Sequence, residues 1–103
     1  MKLIALSSPV AGREEEYNDW YDNVHFPDVL KVAGVKNAQR YRTINPAVNS
    51  MTHSYVAIYE IDAPLDDFLT AMGAAASSMV MTDANDNANA LMGFFELVTE
   101  VSN

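Results

Sequence analysis

The apolar and polar positions change period along the chain. Residues 2–8 are short, apolar and bounded by Ser7, Ser8 and Pro9, which predicts a first strand and then a turn over 9–12. Over 13–25 the period becomes helical, with Tyr17, Trp20, Tyr21 and Val24 on one face. Glu14, Glu15 and Glu16 fall in the first turn, where the helix dipole favours negative charge. Pro27 lacks an N–H and disfavours helical geometry at Phe26. The spacing therefore predicts a kink there, a short restart through Lys31 and an end at Gly34.

Residues 35–44 read as a second strand, broken at Asn45 and Pro46, and 47–52 as a loop. Residues 53–61 (HSYVAIYEI) are rich in aromatic and β-branched side chains and predict a third strand. Pro64 opens a second helix, on which Leu65, Phe68, Leu69, Met72, Ala75, Ala76 and Met79 keep helical spacing. A polar loop over 82–90 leads to a last strand over 91–101, with Gly93 marking a bulge.

The order β-α-β-β-α-β predicts an α+β, ferredoxin-like domain over 1–103: a four-stranded antiparallel sheet with two helices on one face. The other face keeps apolar residues in either register. A second subunit's sheet is its natural cover, so the pattern predicts a homodimer.

Composition narrows the function classes. Half of the residues are hydrophobic and 19% are charged, which excludes a disordered chain. With 14 acidic and 6 basic residues the formal charge is −8, so a nucleic-acid partner is not expected. Lys31, Lys36, Arg40 and Arg42 cluster as either a local anion site or a solvated strand edge. The absence of cysteine excludes disulfides, thiolate chemistry and zinc–sulfur sites. The apolar run Leu3–Leu6 is shorter than the ~7–15 residues of a signal-peptide core, and no run approaches the ~20 residues of a membrane span. The expected location is cytoplasmic by default, with no membrane partner.

The segment YNDWYDNVHFPDVLKVAGVKNAQRYR, Tyr17 to Arg42, resembles the EthD-like branch of the dimeric α+β barrel superfamily. There a helix ending in W-Y-x-x-x-H-x-P-D runs into a G-V-x-x-A-Q-R-Y/F strand. The matching residues are Trp20, Tyr21, His25, Pro27 and Asp28, then Gly34, Val35, Ala38, Gln39, Arg40 and Tyr41. The resemblance implies a dimeric α+β barrel with a pocket between each sheet and its helices. It also implies cofactor-free chemistry in which a histidine often serves as acid or base. The superfamily includes monooxygenases, polyketide cyclases, decarboxylases, isomerases and members without an assigned reaction, so the fold does not select a reaction.

His25 is the leading catalytic candidate, because an imidazole takes and returns a proton near neutral pH without a cofactor. Asp22 lies three residues before it and Asp28 three after, and a nearby carboxylate is expected to raise its pKa. A histidine that merely closes the first helical segment is the alternative. Asp28 either orients His25 or stabilises the restarted helical turn, and Asp22 is expected to face solvent. Arg40 shares a strand face with Ala38 and Ile44; if buried it needs an anionic partner, namely Asp28, Glu60 or a substrate carboxylate or enolate. If exposed, it snorkels. His53, Tyr55, Ala57 and Tyr59 share a strand face, and a tyrosine hydroxyl there can donate to an oxyanion. Trp20, Tyr21, Tyr55, Phe68, Met72 and Phe95 are the candidate lining of a pocket for a small hydrophobic ligand, with simple core packing as the alternative.

No phosphate loop or nucleophile elbow occurs. Asp83, Asn85, Asp86, Asn87 and Asn89 imitate a calcium loop, but Ala88 stands where the loop needs glycine and Phe94 where it needs glutamate. A polar loop or a mobile lid is the better account. Two distant histidines predict no metal site.

Overall fold

The computed structural model describes residues 1–103, apart from the side chain of Pro46. Strands β1 (Lys2–Ser7), β2 (Val35–Arg42), β3 (Tyr55–Ile61) and β4 (Leu91–Phe95) form one antiparallel sheet in the order β2-β3-β1-β4. Helices α1 (Glu14–Trp20), α2 (Phe26–Leu30) and α3 (Leu65–Ala76) connect them, with single 3-10 turns at Pro46–Val48 and Asn87–Asn89. This is the ferredoxin-like α+β arrangement.

Strand alternation decides which side chains meet the helices. On β3, Tyr55, Ala57, Tyr59 and Ile61 are buried, while Val56, Ile58 and Glu60 are only partly covered. The pairings Leu3–Tyr59, Ala5–Ala57 and Ser7–Tyr55 carry the same division onto β1. The core sits between sheet and helices, where Tyr17, Phe68, Ile61 and Val29 are almost fully buried. The register leaves Ile4, Leu6, Tyr41, Val56, Ile58, Leu91 and Phe95 on the opposite, helix-free face. No helix among the described residues is long and apolar enough to cross a membrane.

Pro27 does not interrupt the first helix. The chain stays helical from Glu14 to Leu30 and widens into a π segment over Tyr21–His25 immediately before Phe26 and Pro27. A proline ring clashes with the carbonyl four residues earlier and offers no N–H. A π turn carries i→i+5 bonds, so it widens the helix where that carbonyl would clash.

Other boundaries also differ from expectation. β4 ends at Phe95, because its ladder with β1 closes at the Lys2–Phe95 pair. Gly93 makes no bulge; it pairs with Ile4 in unbroken register, and a Cβ there would lie 3.0 Å from the Phe95 ring. The bulge is at the start of β2, between Val35 and Asn37. Gly34 ends the α2 segment as expected, with φ +95°.

Candidate functional site

The α1–α2 helix lays a row of aromatic side chains against β2 and β3. Tyr17 meets Tyr21 (centroids 5.2 Å apart) and Tyr55 (5.3 Å). Tyr21 meets Trp20 edge-on at 4.9 Å, and Phe26 connects Tyr21 to Tyr59. Such edge contacts suit ring quadrupoles.

His25 sits inside this row. Its ring stacks on Trp20 at 4.4 Å and 19° and meets Tyr21 edge-on at 5.3 Å. Its Nδ1 is buried without a hydrogen-bond partner. Burial among these rings disfavours the imidazolium, so its pKa is lowered, and the charge of Asp28 offsets this only in part. The expected upward shift is therefore corrected: desolvation outweighs the carboxylate. Asp28 makes no hydrogen bond to His25. Its Oδ2 accepts the Val80 N–H at 3.2 Å, while the Trp20 indole donates to the Val80 carbonyl at 2.8 Å. Two neighbours of His25 thus hold both backbone polar groups of Val80, in the segment that follows α3.

Arg40 projects from β2 into the tyrosine cluster, its side chain only 12% exposed. Its anionic partner is neither Asp28 nor Glu60. Asp22 Oδ1 accepts from Nη1 at 2.7 Å and Asn18 Oδ1 from Nη2 at 2.6 Å. Asp22 was expected to face solvent; it is 59% exposed and reaches inward with one oxygen. Glu60 pairs instead with Lys2 at 2.9 Å. The guanidinium lies over Tyr21 (4.7 Å), Tyr55 (4.9 Å) and Tyr17 (5.5 Å), and its Nε is buried and unpartnered. Planar delocalised charge tolerates such a stack better than an ammonium would.

Two hydroxyls of the tyrosine cluster, those of Tyr17 and Tyr55, are engaged. Tyr17 shares a 2.5 Å hydrogen bond with Ser7 Oγ. Tyr55 donates to Glu14 Oε1 at 2.5 Å and accepts from Asn18 Nδ2 at 3.3 Å. Burial raises the pKa of Tyr17 and, more strongly, that of Tyr59, so both stay protonated donors at neutral pH. A cleft of about 430 Å³ opens beside them, lined by Asn18, Asp22, Arg40, Tyr41, Arg42 and Tyr55.

The expected site residues therefore divide. Trp20, Tyr21, His25, Arg40 and Tyr55 come together in one chain of contacts. Phe68 is buried in the core against Phe94, and Met72 packs on that core. Phe95 cannot share a pocket with them: it is 55% exposed on the opposite face of the sheet, because it pairs with Lys2 and not with Leu3. His53 lies apart as well, its Nε2 2.6 Å from the Asn89 carbonyl. Residues missed on sequence grounds are Asn18, Asp22 and Glu14. Their signal was available: they lie one turn apart on the helix edge beside Tyr17 and Tyr21.

No family model matches the chain, and no curated protein does. Solved structures share its fold. An ethyl tert-butyl ether D (EthD) family protein from Bacillus halodurans C-125 superposes with a TM-score of 0.60 at 17% identity, covering 92% of this chain and 97% of that one. HapK from Hahella chejuensis superposes with a TM-score of 0.55 at 17% identity over 100% of both chains. The chain shares the ferredoxin-like α+β fold of these two proteins, at an identity that speaks for the fold alone.

Proposed function

We propose that residues 1–103 form one domain acting as a cofactor-independent enzyme on a small hydrophobic ligand, aromatic or polyketide-like, and working as a homodimer through its helix-free sheet face. The supporting observation is His25: a half-buried imidazole, kept neutral at pH 7 by desolvation, whose Nδ1 has no hydrogen-bond partner and whose ring lies against Trp20 and Tyr21. A neutral imidazole in an apolar setting is a competent general base. Nδ1 would take a proton from an acidic carbon or hydroxyl of the ligand. Arg40, on the other side of Tyr21, would stabilise the enolate or phenolate left behind. Decarboxylation, cyclisation, isomerisation, elimination and cofactor-free oxygenation all begin from such an anion.

One observation favours a second reading, a ligand-binding protein without turnover. Asp28 is engaged by Val80, so no carboxylate is hydrogen-bonded to the imidazole to orient it.

A thermal-shift screen of wild type and His25→Ala against hydroxylated aromatics, polyketide-like acids and small lactones tests both. A ligand at 100 times its Kd adds about 2.7 kcal/mol of stability. A compound that stabilises wild type, loses effect in the variant and is consumed only by wild type supports the enzyme. Binding without consumption supports the second reading. The absence of any stabilising compound across the panel refutes both.

A further inference from the structure

His25 Nδ1 is buried and has no hydrogen-bond partner. A ligand meets this atom only if a neighbouring element yields. Helix and sheet resist, because each turn or rung is backed by the next. Residues 77–82 (SSMVMT), which follow α3, are built differently.

Both ends of this segment are fixed. At its start the Ser78 and Met79 N–H groups donate to the Ala75 and Ala76 carbonyls, continuing the last turn of α3, and Met79 packs on the core. Just past its end Arg13 holds Asp83 at 2.6 Å, Ala84 is fully buried, and the Ala84 carbonyl accepts the Val10 N–H at 2.7 Å. Between these anchors Val80 and Met81 are 58% and 63% exposed. Among the described residues, Val80, Met81 and Thr82 make no backbone–backbone hydrogen bond. One residue ties the middle down. The Val80 N–H donates to Asp28 Oδ2, and the Val80 carbonyl accepts from the Trp20 indole. That indole is the one stacked on the His25 ring. The clasp and the candidate base therefore share a side chain. Two hydrogen bonds in reach of water contribute little each, so opening here lies far below global unfolding.

We propose that residues 77–82 are a strap clasped at Val80, and that its release opens the Trp20–His25 pair to a small hydrophobic ligand. Asp28 is then a positioning residue that acts through the strap and not on the imidazole. The strap's purpose rests on the reading of His25 as a base. Its test does not, because the single tryptophan of the chain reports on the clasp directly.

Exchange of the Val80 amide proton and the Trp20 indole proton is followed by NMR in full-length wild type, Asp28→Ala and Asp28→Asn. Asp28→Ala removes an acceptor from Val80 alone. If the strap moves as a unit, the indole proton on the other side of the clasp also exchanges about fivefold faster, the shift that one hydrogen bond gives a two-state opening. Labelling of Trp20 by hydroxynitrobenzyl bromide, a small hydroxylated aromatic, should rise by a similar factor. Asp28→Asn keeps an acceptor while removing the charge, and should stay near wild type. The Val10 amide, at the far anchor, should not change. An indole proton and a labelling yield indifferent to Asp28→Ala overturn the strap. So does acceleration shared by Val10, which marks general loosening, or an Asp28→Asn variant that opens as far as Asp28→Ala. An empty ligand screen overturns the reading of His25 and not the strap, which the exchange and labelling rates decide alone.

Discussion

Arg40 permits the sharpest test of the site's physical logic. Its guanidinium makes two charge-assisted hydrogen bonds and lies over three tyrosine rings. A hydrogen bond to a charged group contributes ~1.5–3 kcal/mol when water is excluded. Asp22 is 59% exposed, so water replaces much of what it supplies, and Asp22→Ala should cost about 1 kcal/mol. Arg40→Ala removes both bonds and three ring contacts worth ~0.5–1 kcal/mol each. It also leaves a hole among Tyr17, Tyr21 and Tyr55, while relief from burying a charge offsets part of the loss. The net cost should be about 3 kcal/mol, with roughly 1 kcal/mol of coupling to Asp22 in the double variant. Urea unfolding at fixed protein concentration measures this, because self-association of any kind makes apparent stability depend on concentration. With a slope of ~1–3 kcal/mol per molar, the Arg40→Ala midpoint should fall by roughly 1–3 M. An Arg40→Ala variant as stable as wild type, or two substitutions that simply add, would refute the picture of an arginine organising the tyrosine cluster.

Two further expectations follow from the same geometry. Burial holds the folded-state pKa of His25 below its ordinary value, so in mild acid the unfolded chain binds the extra proton. The stability tied to His25 should then be complete above about pH 6.5 and decline as pH falls through the folded pKa, by at most about 1.4 kcal/mol per pH unit. Comparing wild type with His25→Gln across about pH 7.5 to 5 isolates this slope, and equal slopes would show that the imidazole is solvated in the folded chain. Gly34 has φ +95°, and a Cβ there would lie 2.9 Å from the Ala63 Cβ. Gly34→Ala should therefore cost about 2 kcal/mol in chemical denaturation; a neutral result would mean that the α2–β2 turn adopts another conformation.

The element order was legible because sheet and helix have distinct periods. Tyr55, Ala57 and Tyr59 alternate, and Leu65, Phe68 and Met72 repeat at three and four. Where expectation failed, the deciding contact was distant in sequence. β4 stops because its ladder with β1 stops, and Phe95 changes face because of the register with Lys2. The apolar residues that suggest a strand to 101 are present, but no strand of the sheet pairs with them beyond Phe95. At the site, the type and place of His25 and Arg40 were readable, whereas their partners were not. Asp28 and Asp22 are equally spaced about His25, and only the fold shows that one serves Val80 and the other Arg40. The sign of the His25 shift is hidden for a similar reason: sequence shows neighbouring charges but not how much water is removed.

The π segment has a consequence for timing along the helix. Tyr17, Tyr21, His25 and Val29 follow one another in strides of four. In a regular α-helix each such stride overshoots a full turn by about 40°, so three strides would carry the last side chain roughly 120° around the axis. The wide turn over Tyr21–His25 absorbs residues without completing the extra rotation. It works as a vernier that resets the phase, so that the rings before it and Val29 after it address the same sheet. At this stretch the number of residues is as binding a constraint as their identity: losing one would swing everything upstream of it out of step with everything downstream.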